Sequence, residues 1–156
     1  MPAIRFLPLP TAFARRVHGG GPDENDQPAE RRISDGTGVP CRHCLRMVPA
    51  GAPYLICAHR PFSTLQPYAE VGPVFLCAHP CDAAVPVDAM PAILASPSYN
   101  MRGYGADERI VYGTGGVVAR DSIAARAADL LDRAEVSFVH VRSAANTCFQ
   151  LRIERA

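Results

Sequence analysis

Along the chain, apolar positions fall into short strand-like runs, with one well-marked helix late in the sequence. Ile123, Ala127, Leu130 and Leu131 recur at helical spacing behind a start signal at Asp121 or Ser122, predicting a helix over about 121–133 that covers a sheet. The runs Val136–Arg142 and Cys148–Arg155 alternate instead, predicting a terminal antiparallel hairpin. Alternation assigns Val139, Val141, Phe149, Leu151 and Ile153 to an apolar face. His140, Arg142, Cys148, Gln150 and Arg152 share the other. A loop over Ser143–Thr147 would pair Arg142 with Cys148 and His140 with Gln150.

The earlier part of the chain is more broken. Ile4–Leu9 reads as a strand, with Thr11 as the cap of a helical turn through Phe13–Val17. The stretch from Gly19 to Glu30 mixes glycine with acidic and turn-forming residues, has no apolar face to bury, and is expected to be a mobile surface loop. Arg31–Cys81 is β-rich, with strands at Tyr54–Ala58 and Val74–Ala78. Ala83–Gly105 reads as an irregular connection with a short helix near Ala89–Leu94. Arg109–Tyr112 and Val117–Arg120 flank Gly113-Thr114-Gly115-Gly116 as a hairpin or a bent strand. A phosphate cradle would need a helix directly behind those glycines, where a strand-like stretch stands instead. These elements add up to a single α+β domain over residues 1–156, with a mainly antiparallel sheet and a covering helix in the C-terminal half.

Composition narrows the chemistry. At 156 residues, 48% hydrophobic and 20% charged, the chain can bury the core of one ordinary domain. All 16 basic residues are arginine. The absence of lysine excludes a P-loop, a pyridoxal-phosphate enzyme and a protein kinase, each of which needs one. A net charge of +1, with arginines dispersed from Arg5 to Arg155, does not suggest nucleic acid as a partner. No apolar run approaches the roughly 20 residues that span a bilayer, so no membrane partner is expected. Without an export signal the expected location is cytoplasmic, where the six cysteines stay reduced and point to metal binding or catalysis.

Cys41-Arg42-His43-Cys44, between two turns, has the Cys-x2-Cys spacing that aims two thiolates at one ion. A second pair is available in Cys77-Ala78-His79-Pro80-Cys81, either as Cys77 with Cys81 or as His79 with Cys81. Four such ligands would form a closed structural zinc site, a Cys-rich knuckle. Buried reduced cysteines and a Cys41–Cys44 redox pair are the competing readings. The triplet Cys57-Ala-His59 repeats Cys77-Ala-His79 at too short a length to define a repeat, and is left outside the site. On the polar hairpin face, His140, Arg142 and Cys148 are candidate catalytic residues: an imidazole beside a thiol, with an arginine to hold an anion. Arg60 and Tyr68, on turn-rich loops, are candidates for ligand binding.

One ordered series runs through Cys41-Arg-His-Cys-Leu45, Arg60-Pro-Phe62, Pro67-Tyr-Ala-Glu70, Gly72-Pro-Val-Phe75 and Cys81. It continues with Arg109-Ile-Val-Tyr-Gly-Thr-Gly115 and with Phe138-Val-His-Val-Arg142 ahead of Asn146, Cys148 and Phe149. Together these motifs resemble the small bacterial family catalogued as domain of unknown function 1203. The resemblance implies one domain of this length and no established activity. It also implies that histidine can stand where this chain has Cys77, an exchange that suits a zinc ligand. The function expected is that of a metal-stapled soluble module binding a small molecule or a protein. The alternative is an enzyme acting on an acidic metabolite with the His140, Arg142 and Cys148 face. A deep pocket joining Arg60, Tyr68 and Arg142 would favour the enzyme, and an exposed apolar patch the binding module.

Overall fold

A computed structural model describes residues 1–156 as eight strands and two helices. The strands are β1 (Ile4–Leu7), β2 (Glu30–Ile33), β3 (Pro53–His59), β4 (Gly72–Cys77), β5 (Ser98–Tyr104), β6 (Gly116–Ala119), β7 (Phe138–Ser143) and β8 (Phe149–Arg155). The helices are α1 (Thr11–His18) and α2 (Ile123–Leu131), the latter entered through a turn of 3-10 helix at Arg120–Ser122. A five-stranded sheet runs in the order β1-β8-β7-β5-β6, and a second has the order β2-β3-β4. All strand pairs are antiparallel, so the chain is an α+β domain of the expected class.

The larger sheet is covered on both faces. On one side Val139, Val141, Leu151 and Ile153 pack with Ile123, Ala127, Leu130 and Leu131 of α2, as the helical spacing predicted. On the other side Phe149 joins a cluster from α1 and the smaller sheet, including Phe13, Val17, Leu55, Val74 and Leu76. Five of the six residues of β7 are therefore buried. The hairpin face expected to be polar lies inside the molecule: His140 is 0% exposed and Arg142 5%.

Several expectations are corrected. The terminal hairpin pairs His140 with Arg152 and Arg142 with Phe149, because the register shifts between Val141 and Arg142. That bulge moves Phe149 off the apolar face assigned by strict alternation and brings its ring 4.9 Å from that of His140. Thr11 does not cap α1. The N-cap is Pro10, and the Thr11 hydroxyl bonds His43 Nε2 at 2.9 Å. No helix forms at 89–94, and Ser98–Tyr104 is a full strand between β6 and β7. The segments flanking Gly113–Gly116 do not pair with each other. Only Gly116–Ala119 is a strand along β5, while Arg109–Tyr112 makes one isolated bridge, Tyr104↔Ile110, before the chain turns, so neither a hairpin nor a continuous bent strand forms. Between α1 and β2 the chain is irregular, and the buried Asp23 carboxylate accepts hydrogen bonds from the amides of Asn25, Gln27 and Ala58. No helix is long and apolar enough to cross a membrane.

Candidate metal centre and adjoining cavity

The first knuckle is a tight turn closed by its own backbone. Pro40 bridges Met47, the Cys41 amide donates to the Arg46 carbonyl at 2.9 Å, and the Leu45 amide donates back to the Cys41 carbonyl at 3.0 Å. Leu45 closes the turn at φ 56°, a left-handed conformation that costs a branched residue stability. Burial of its side chain in the core under α2 offsets that cost. The second knuckle is the end of β4, where Cys77 is the last strand residue and the chain bends at Ala78–His79 before Cys81.

The smaller sheet brings the two turns together. The Arg42 amide donates to the Phe75 carbonyl at 3.0 Å, and the Cys77 amide donates to Cys41 Sγ at 3.3 Å. Helix α1 holds the second knuckle from outside, with Arg15 Nη2 donating to the Cys81 carbonyl at 2.7 Å and His18 Nε2 bonded to the Cys77 carbonyl at 2.8 Å. The result is a cluster of Cys41, Cys44, Cys77 and Cys81 whose sulfur atoms all lie within 4.8 Å of one another. Cys41 and Cys81 are 3.8 Å apart and Cys44 and Cys77 are 3.9 Å apart. Four sulfurs at ~2.3 Å from a tetrahedral ion stand about 3.8 Å from each other, so this group can hold a metal ion. His79 is exposed and stands outside the cluster, leaving Cys77 as the fourth member.

Electrostatics set this cluster apart from an ordinary group of thiols. Thiol hydrogen bonds from Cys44 and Cys77 pull Cys41 far below the usual cysteine range. Hydrogen bonding to Cys41 pushes Cys44 and Cys77 up. Cys81 is pushed up to about 12 by burial, then by charge on Cys41. One negative charge thus suppresses the next, and a cation shared by all four sulfurs removes that conflict. Two further groups favour negative charge here. His43, wholly buried, places Nδ1 3.3 Å from Cys81 Sγ while Thr11 fixes its other nitrogen. Arg42, nearly as buried, donates to the Phe149 and Pro40 carbonyls and lies over the Phe75 ring. Burial lowers its guanidinium to about 10, well above neutral pH, so it stays charged beside the cluster. Cys57 contrasts with these: it is buried in the core, raised to about 12 by burial, and belongs to no cluster of ligands.

The remaining candidates divide between two cavities. The larger, about 610 Å³, lies between the β1–α1 connection, the end of β3 and the inner face of β7 and β8. His59, Arg60, Phe62, Phe138, His140 and Arg152 are among its walls. The smaller, about 200 Å³, is lined by Arg142 and Cys148 and shares His59, Pro61 and Phe149 with the first. His140 and Cys148 therefore serve different cavities. Cys148 Sγ points to the Asn146 carbonyl at 3.9 Å, and neither His140 nitrogen has a hydrogen-bond partner. Arg142 Nη1 donates to the Thr147 carbonyl at 3.1 Å and lies 3.6 Å from Glu70, while its Nε and Nη2 are unpartnered. Tyr68 lines neither cavity, its hydroxyl sitting 2.7 Å from that of Tyr112, so no single pocket joins Arg60, Tyr68 and Arg142.

Sequence reasoning passed over three residues. His43 was visible inside the Cys-x2-Cys turn. His59 stands in the repeated triplet outside the expected site, yet it is 3% exposed with both ring nitrogens unpartnered. Glu108 left no sequence signal; it sits at φ 63° and accepts hydrogen bonds from the amide and hydroxyl of both Ser63 and Thr64. That clamp fixes the loop carrying Phe62 over the larger cavity.

The family model described as Protein of unknown function (DUF1203) matches residues 38–155, a span that includes all four clustered cysteines and most of the cavity wall. No curated protein and no solved structure matches the chain.

Proposed function

The chain belongs to the DUF1203 family, and we propose that it is a small-molecule-binding domain stapled by one structural zinc ion. The observation that carries this reading is the convergence of Cys41, Cys44, Cys77 and Cys81, two pairs of sulfurs already at tetrahedral spacing. Four protein ligands close the coordination sphere, which suits a staple rather than a Lewis acid that must keep a place for water. An all-sulfur set selects zinc over the hard cations that prefer oxygen. The staple joins the smaller sheet to α1 and, through Arg42, to β8, and the smaller sheet and β8 contribute His59, Phe149 and Arg152 to the larger cavity. A cavity of this size with mixed aromatic and cationic walls has the dimensions of a small-molecule site. The cytoplasm, being reducing, is the compartment in which such thiolates persist.

Elemental analysis of the purified protein tests the staple. About one zinc per chain is expected, and less than about a tenth of that overturns it.

The second reading is an enzyme that uses His140, Arg142 and Cys148 on an acidic metabolite. One observation favours it: Nε and Nη2 of Arg142 are buried without a hydrogen-bond partner, on a residue that lines the same cavity as Cys148. Alkylation of Cys148 no faster than that of free cysteine at neutral pH would end this reading.

A further inference from the structure

The larger cavity is built around two histidines that the fold buries and leaves unbonded. His59 is 3% exposed and His140 0%, and none of their four ring nitrogens has a hydrogen-bond partner. Most buried polar groups in folded proteins are paired, so two unbonded imidazoles in one cavity wall call for a partner. The neighbours do not supply it. His140 is enclosed by the rings of Phe62, Tyr104, Phe138 and Phe149 at 4.8 to 5.1 Å, and the Tyr104 hydroxyl is itself unpartnered.

The charges around this wall are mostly positive, and the acids among them are already engaged. Arg60 and Arg152 line the cavity, with Arg60 Nε buried and unpartnered. Glu108, the acid in the wall, spends its carboxylate on Ser63 and Thr64. Glu24 lies 3.6 Å from Arg16, 3.7 Å from Arg60 and 3.9 Å from His59, and Glu154 is paired with Arg152 and Arg5. Arg142, Arg152 and Arg102 add to burial in keeping His140 neutral, as Arg16 and Arg60 do for His59. A neutral imidazole offers one N–H, so the pair can donate two hydrogen bonds without carrying charge. A positive field with two uncommitted donors and an aromatic surround suits a negative head on an apolar body.

We propose that this cavity binds a small organic oxyanion, a carboxylate or phosphate group on an apolar body, held by N–H groups of His59 and His140 and by the Arg60 guanidinium. The body lies against Phe62, Phe138 and Phe149. The inference rests on the small-molecule reading above and names the ligand class. Both rings line the cavity while their nitrogens are covered from solvent. A half-turn about the Cβ–Cγ bond exchanges nitrogen and carbon positions on an imidazole, and a shift of the Phe62 ring, 5.1 Å from that of His140, opens the wholly covered His140 to the ligand, so both N–H groups can be reached without unfolding a strand.

The test uses the full zinc-loaded chain with 15N-labelled histidine, titrated separately with benzoate, phenyl phosphate and the uncharged benzamide. The proposal expects the His59 and His140 imidazole resonances to shift with at least one anion, bound about tenfold or more tightly than benzamide. Response to benzoate alone assigns a carboxylate head, and response to phenyl phosphate alone a phosphate head. His140→Phe should weaken that binding about tenfold while zinc content stays at that of the parent chain. Should that variant fail to fold, Arg60→Gln carries the same expectation, since the Arg60 side chain is 25% exposed and its replacement leaves the core intact. Equal binding of benzamide overturns the anion assignment and leaves a small-molecule cavity standing. No shift with any of the three at millimolar concentration, in protein that holds its zinc, overturns both.

Discussion

Arg42 Nε donates to the Phe149 carbonyl at 2.9 Å, linking the first cysteine turn to the last strand across 107 positions of sequence. The bond lands beside the bulge in β8, where the register slips and Phe149 turns inward. The cysteine cluster, the bulge and the cavity wall are thereby joined through a single guanidinium. Arg42→Met keeps most of the apolar stem but removes the guanidinium that lies over Phe75, and with it both donors, leaving the Phe149 and Pro40 carbonyls without them. The expected loss is about 2–4 kcal/mol in urea denaturation, given that hydrogen bonds from a charged donor are worth about 1.5–3 kcal/mol each. Arg42→Lys should recover less than half of it, because an ammonium has no planar fork to reach two carbonyls. Full recovery by lysine would show that charge alone is used.

The cysteines divide into four whose sulfurs lie within 4.8 Å of one another and two that stand apart. Cys81→Ser is expected to lower bound zinc well below one per chain and to lower the melting temperature. Cys57→Ala should leave zinc content unchanged and cost only about 1 kcal/mol for a small cavity in the core. Removing the metal with a chelator should destabilise the parent chain and leave Cys81→Ser almost unaffected. Elemental analysis with thermal melts reads all three. Equal zinc loss in the two variants would sink the assignment of Cys81 as a ligand.

What could be read from residues was whatever depends on short-range spacing. Cys41 and Cys44 are a local turn, and the spacing offered Cys81 with either Cys77 or His79 as the second pair, a choice that only the packing of β4 against the first turn makes in favour of Cys77. The periodicity of α2 was clear because Ile123, Ala127, Leu130 and Leu131 face one core. The bulge was hidden because one extra residue, Gln150, changes neither composition nor the visible alternation, yet it reverses the face of Phe149. Strand β5 was hidden because Ser98–Tyr104 contains asparagine, arginine and glycine and follows a proline-rich stretch. Its place in the sheet comes from β6 and β7 on either side. His59 and His79 stand in identical triplets, and only tertiary packing buries one and exposes the other.

Glu108 anchors the loop over the cavity through local chemistry that can be measured directly. Burial raises its carboxyl, and the hydrogen bonds from Ser63 and Thr64 together outweigh that, holding it below the ordinary range. Glu108→Gln removes the charge and turns half of the acceptor into a donor facing donors. Amide exchange at Ser63 and Thr64 should accelerate by about tenfold or more, with β7 and β8 amides unchanged, as expected for a local opening. Uniform acceleration throughout the molecule would mean that Glu108 supports the whole fold instead.

The buried histidines should give the protein a characteristic acid sensitivity. Burial, followed by the positive charges of Arg16 and Arg60, lowers His59 from 6.5 to about 4. Glu24 lies 3.9 Å from its Nδ1 but is shared with those same two arginines, and does not reverse the shift. Between these pH values the unfolded chain takes up a proton at this position that the folded chain refuses. Stability is therefore complete above about pH 6.5 and declines as the pH falls towards 4, with roughly 2 kcal/mol lost at pH 5 from His59 alone. His140, also lowered, acts in the same direction. Urea midpoints at pH 7 and pH 5 read the effect, and His59→Leu isolates it from acid release of the metal, which both chains share. The fall from pH 7 to pH 5 should be smaller in His59→Leu by about 2 kcal/mol. Identical falls in the two chains would mean that His59 titrates normally in the folded protein and is not sealed in the wall as the structure places it.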